Sequence, residues 1–135
     1  MAALLNPYIH FEASAREAME FYQSLFGGEL NVMTFGDMGM EGATAGHVMH
    51  AQLQAPNGFA LMASDTPPGM TLTKGETVTL SLSGDDETEL RGWFEALAEG
   101  GEVHAPLEKQ VWGDQFGQAA DKFGVTWLVN INQQG

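Results

Sequence analysis

The chain has 135 residues, 18 of them acidic and five basic, for a net charge of −13, and it contains no cysteine. A nucleic-acid partner would need a basic stripe, whereas Arg16, Lys74, Arg91, Lys109 and Lys122 are scattered. Without cysteine there are no disulfides, thiolate ligands or cysteine nucleophile, and the 44% apolar content argues for a folded chain of one domain or two tightly joined halves.

In chain order, the opening MAALLNPYIHF carries no positive charge and only a short apolar run before Asn6-Pro7, so it is not expected to act as a secretory signal. No apolar stretch approaches the roughly 20 residues needed to span a bilayer. The expected compartment is therefore the cytoplasm, with no membrane partner. Residues 7–11 read as a first strand. A helix follows, because Ala15, Ala18, Met19, Tyr22, Leu25 and Phe26 recur at helical spacing. Ser14 and Glu17 have the spacing of a capping box, and Gly27-Gly28 ends the helix. Three strands are predicted next, over 30–35, 47–54 and 59–63, with Asn57-Gly58 as a hairpin turn between the last two. Segment 36–46 is glycine-rich and aperiodic, which predicts a mobile loop able to act as a lid.

Segment 65–76, DTPPGMTLTKGE, carries the turn residues of a linker. Beyond it the pattern returns. A strand over 77–83 precedes a second helix with Leu90, Trp93, Phe94 and Leu97 on one face, Asp86 as its cap and Gly100-Gly101 at its end. The acidic run Asp85-Asp86-Glu87 with Glu89 suits the start of that helix. Strands over 103–110, 115–120 and 126–132 complete the chain.

The second half repeats the first. Ser14 pairs with Asp86, Glu17 with Glu89, Phe21-Tyr22 with Trp93-Phe94 and Leu25 with Leu97, all at one offset; after a one-residue insertion at Glu99, Gly27-Gly28-Glu29 pairs with Gly100-Gly101-Glu102. The expectation is an internal duplication: an α+β fold of two βαβββ modules, residues 1–65 and 77–135 with a linker over 66–76, forming a concave mixed sheet.

Strand parity shows what the sheet carries on its other side. Tyr8 and His10 share a face, as do His50, Gln52 and Gln54, then Thr77, Thr79 and Ser81, and then Leu128, Asn130 and Asn132. Those faces are polar but nearly uncharged, which suits a small-molecule pocket; an ordinary wet outer face is the competing reading. His50 is the candidate catalytic residue, since an imidazole exchanges protons near neutrality, and a hydrogen-bonding role alone is the alternative. Tyr8, His10, Gln52, Thr79, Trp112 and Asn130 are the candidate ligand-binding residues. His10 with Glu12 forms a weak His-x-Glu pair, His47 and His50 cannot chelate together on a strand, and Asp65 reads as turn or pocket rim. No GxSxG, Walker loop, HExxH or GxGxxG is present.

The runs NPYIHF, EAMEFYQSLFGGEL, HVMHAQL, LMASD and VWGDQFGQAADKFGVTWLVNI, in this order, resemble the PhnB-like branch of the vicinal oxygen chelate superfamily, which includes glyoxalase I, extradiol dioxygenases and bleomycin- and fosfomycin-resistance proteins. The resemblance covers nearly the whole chain. It implies the duplicated glyoxalase-like fold, frequent pairing into homodimers, and one divalent metal held by four strand residues as cofactor. Carried over by register, those four places fall on Tyr8, His50, Thr79 (or Thr77) and Leu128. Only His50 is a good ligand, so the chain departs from the metal-binding pattern. The expectation is a small-molecule binder with a degenerate metal site, acting as a lyase, isomerase or other enzyme, or else as a resistance-type protein that sequesters its ligand. Members of the branch are also described as demethylubiquinone methyltransferases, but this sequence shows no glycine-rich nucleotide loop.

Overall fold

In the computed structural model, which describes residues 3–132, the chain divides into two units, Met1–Thr73 and Lys74–Gly135. The first contains β1 (Tyr8–Phe11), α1 (Ala15–Phe26), β2 (Glu29–Thr34), a single 3₁₀ turn (Gly36–Met38), β3 (Val48–Gln54) and β4 (Ala60–Asp65). The second contains β5 (Leu80–Gly84), α2 (Glu87–Ala98), β6 (Glu102–Lys109), β7 (Gln115–Ala120) and β8 (Thr126–Ile131). Each unit is one four-stranded mixed sheet. The orders correspond, β1-β4-β3-β2 and β5-β8-β7-β6, with one parallel pair (β1 with β4, β5 with β8) and antiparallel pairs otherwise. The fold is therefore α+β with two mixed sheets and two helices.

The helices form where the apolar period demanded them. α1 buries Ala15, Ala18, Met19, Tyr22 and Phe26, and it lies on the face of its sheet that presents Ala51, Leu53, Leu61 and Ala63. Met19 and Tyr22 are 0% exposed, each worth about 1.5–3 kcal/mol of transfer free energy. α2 buries Leu90, Phe94 and Leu97 against Leu82, Ala119, Trp127, Val129 and Ile131. Leu25 and Trp93, expected on these stripes, are half-buried.

The glycine pairs that follow the helices do the same work twice. A Cβ on Gly28 would stand 2.0 Å from the carbonyl oxygen of Gln54, and one on Gly101 would stand 2.0 Å from that of Ala120. Each glycine lets the strand after the helix run against the end of a neighbouring strand. The extra residue of the second half, Glu99, is extended between α2 and Gly100.

Three expectations need correction. First, the strand predicted over 77–83 begins only at Leu80. Its partner β8 starts at Thr126, and the first paired residues are Leu80 and Trp127, so Thr77 has no strand to meet. Thr79 lies just before the strand, and Val78 is 77% exposed.

Second, Ser14 occupies the N-cap position of α1 but its side chain makes no cap bond. The capping acceptor is Asp65, at the end of β4. Its Oδ1 accepts from Ala15 N–H at 2.9 Å and its Oδ2 from Val48 N–H at 2.8 Å. Third, Asp65 is therefore neither turn nor rim: it is 2% exposed and ties α1, β3 and β4 together. Asp121 plays a comparable part in the second unit. Its Oδ1 accepts from Phe123 and Val125 N–H and its Oδ2 from Trp127 Nε1, which locks the turn between β7 and β8.

Candidate functional site

The first sheet has one face under α1 and one facing away. Register fixes what the second face carries. Tyr8 on β1 stands beside Met62 on β4, Met62 beside Gln52 on β3, and Gln52 beside Asn31 on β2. In the next row His10 stands beside Ser64, and His50 beside Met33. These two rows hold no carboxylate, lysine or arginine, in a chain with 23 such side chains counted as 18 acidic and five basic.

The aromatic and imidazole rings converge. The Tyr8 hydroxyl lies 3.1 Å from His50 Nδ1, so either group donates according to the imidazole tautomer. The Tyr8 ring is flanked by two imidazoles, with centroids 5.1 Å from His10 and 5.6 Å from His50. The Ser64 hydroxyl lies 3.4 Å from His10 Nδ1. Tyr8 remains 42% exposed, so the pair is open to a ligand. A hydroxyl bonded to an imidazole is the minimal device for moving a proton to or from a bound molecule.

One irregularity shapes this face. Between Met33 and Thr34 the β2–β3 register shifts, with His50 paired to Met33 but Val48 to Thr34, so Met49 is the extra residue. Strict alternation would put Met49 on the side of Ala51 and Leu53, but Val48, Ala51 and Leu53 are buried and Met49 is only half-buried. The bulge sits next to His50, and bulges re-aim the side chains beside them.

The first unit thus gathers Tyr8, His10, His50 and Gln52. The remaining candidates belong to the second unit. Thr79 is half-buried ahead of β5. Asn130, on β8, donates through Nδ2 to Asp114 Oδ2 at 3.1 Å and to Asn132 Oδ1 at 3.2 Å. Trp112 lies in the β6–β7 connection, 59% exposed, within a turn closed by Gln110 N–H donating to the Asp114 carbonyl. Ser81, rather than Thr79, stands beside Leu128.

The residues at the four places carried over for a metal do not fit one: Leu128 is aliphatic and Thr79 lies off the strand. Among the described residues no three His, Asp or Glu side chains gather closely enough to hold a metal ion. Ser64, Asn31, Met33 and Met62 share the face of Tyr8 and His50 without being among the candidates from the sequence. β4 runs to Asp65 rather than ending at Ala63, and the alternation through LMASD carries Ser64 onto the face of Met62.

Residues 4–130 match the family model described as 3-demethylubiquinone-9 3-methyltransferase. The crystal structure of protein PA1353 from Pseudomonas aeruginosa is 38% identical, with a TM-score of 0.88 and 98% of this chain and 100% of that one covered. A PhnB protein from Bacillus cereus is 28% identical at a TM-score of 0.80, covering 96% and 100%. The fold recurs at 16% identity, a TM-score of 0.69 and coverage of 100% and 95% in a glyoxylase/bleomycin resistance protein/dioxygenase domain from Frankia sp. EAN1pec. Among the described residues no helix is long and apolar enough to cross a membrane.

Proposed function

We propose, on the premise that the chain belongs to the 3-demethylubiquinone-9 3-methyltransferase family, that the face of the first sheet opposite α1 binds a small polar molecule. Tyr8 and His50 exchange hydrogen bonds and a proton with it, and His10 and Gln52 line its sides. The observation that carries this reading is the 3.1 Å contact between Tyr8 and His50 within two rows of side chains free of formal charge. A wet face on so acidic a chain would be expected to collect carboxylates.

The test is a thermal-shift screen of small polar molecules on the wild type and on His50→Ala. A ligand present at a hundred times its Kd stabilises the wild type by about 2.7 kcal/mol, and the shift disappears in His50→Ala. Tyr8→Phe removes one hydrogen bond and weakens the same ligand roughly tenfold. Equal shifts in all three proteins would refute the assignment. Turnover of the ligand identifies a lyase- or isomerase-type enzyme with His50 as its acid–base group; saturable binding with no turnover identifies a sequestering protein. Methyl transfer is supported by the family description alone, and calorimetry with S-adenosylmethionine decides it.

In the same proposal the two units descend from one duplicated module, which the matching strand orders and the paired glycines support, and the chain works in the cytoplasm as a homodimer. Each sheet has two edge strands, and edges invite pairing; light scattering reading twice 14.5 kDa would bear out the dimer, and a monomer mass would remove it.

A further inference from the structure

Methionine supplies the sulfur of this cysteine-free chain, with eight residues, and its placement is uneven. Met19, on the buried face of α1, is 0% exposed. Met38, Met40 and Met70 are exposed outside the strands. Met33 differs from all of these: it is 41% exposed on the edge strand β2 and stands directly beside His50 in the β2–β3 register. Residues so paired have Cβ atoms about 4.5–5.5 Å apart on one face of the sheet.

We propose that Met33 is an oxidation site that controls the Tyr8–His50 pair; this rests on the assignment of that face as the binding site. The thioether sulfur of Met33 gives an electron pair to one oxygen of a hydroperoxide. The S–O bond forms as the O–O bond breaks, and the second oxygen leaves with a proton as water or an alcohol. Sulfur is oxidised to the sulfoxide and the hydroperoxide is reduced. The product is polar where the thioether was apolar. Its oxygen is a hydrogen-bond acceptor next to an imidazole whose Nδ1 already engages Tyr8 at 3.1 Å. Accepting from an imidazole N–H, it either takes the Nδ1 proton away from the Tyr8 hydroxyl or fixes the proton on Nε2, and so sets the tautomer and orientation of His50. Susceptibility of a thioether follows its exposure, so Met33 reacts while Met19 does not, and reduction by methionine sulfoxide reductases restores the site.

The experiment treats the whole protein with hydrogen peroxide. Peptide mass spectrometry follows each methionine, and nuclear magnetic resonance follows the His50 ring nitrogens and the Tyr8 hydroxyl environment. Met33 is expected to gain one oxygen at a rate within about threefold of Met38, with Met19 unchanged. The His50 ring signals shift as Met33 converts and return after reductase treatment. They do not shift in Met33→Leu, whereas Met38→Leu responds as the wild type does. Resistance of Met33 while Met38 reacts, unmoved His50 signals at full Met33 conversion, or the same shift in Met33→Leu each overturns the inference. An untreated protein lacking the Tyr8–His50 hydrogen bond overturns the site assignment instead, so the two failures are told apart.

Discussion

The two units share a strand order but place their buried carboxylates differently. In the first, the helix is capped from across the fold, by Asp65 at the end of β4, which also holds Val48 at the start of β3. In the second, α2 is capped locally by Asp86, whose Oδ1 accepts from Glu89 N–H at 3.1 Å, and the buried carboxylate, Asp121, serves the β7–β8 turn and Trp127. At the place of Asp65, the last residue of the strand, β8 has Ile131, 2% exposed. A shared architecture thus leaves room for different wiring. The first unit spends its buried charge on joining the strands that carry His50 and Ser64 to the helix beneath them; the second spends it on a single turn.

Substitutions sharpen that comparison. Asp65→Ala has the largest expected effect, because it strands two buried backbone donors belonging to different elements. At about 1–3 kcal/mol for each orphaned group, the loss is roughly 2–5 kcal/mol by urea unfolding, with amide exchange rising at both Ala15 and Val48. Asp121→Ala removes three accepted bonds within one turn. Only the donor of Trp127 is fully buried, while those of Phe123 and Val125 are part-buried and can turn to water; about 1–3 kcal/mol is expected, with exchange rising only around residues 121–127. If Asp65→Ala also stayed local, the contrast between the units would fail.

Asp86→Ala is next, a solvent-exposed cap worth about 1 kcal/mol, read as a smaller shift of the unfolding midpoint. The smallest effect belongs to Asp37. Its carboxyl is held below the usual 3.8, first by the backbone hydrogen bond from Thr34, then by the Thr34 side chain, with the Arg16 charge adding to both and slight burial opposing. A lowered folded value means that the stabilisation is present above pH 3.8 and is lost as pH falls through the lowered value. Carbon-detected titration should place the Asp37 midpoint under 3.8, and Thr34→Val, which keeps the backbone N–H donor, should raise it only in part; an unmoved midpoint in Thr34→Val would count against the contribution of the Thr34 side chain.

What could be read from the sequence divides along physical lines. Helix periods, glycine stops and strand alternation are local signals, and they located both helices and all eight strands to within a few residues. The polar face of the first sheet followed from parity alone, because Tyr8, His10, His50 and Gln52 sit on strands whose alternation is intact there. Failures came where distance or a partner decides the outcome. Ser14 and Glu17 have capping-box spacing, yet the acceptor comes from Asp65, 50 residues further on, which no local pattern reveals. Thr77 and Thr79 alternate like strand residues, but the pairing with β8 starts only at Leu80 and Trp127, and at Thr77 it would already have run past the start of β8 at Thr126. The bulge at Met49 depends on the register of β2 against β3, and so the neighbourhood of Met33 and His50 became legible only in three dimensions.

The most direct test of the central claim is a crystal structure with the first ligand that the thermal-shift screen yields. The account predicts that ligand on the sheet face opposite α1, with a polar atom within about 3.2 Å of the His50 imidazole or the Tyr8 hydroxyl. A ligand seated elsewhere, with both side chains still bonded only to each other, would contradict it.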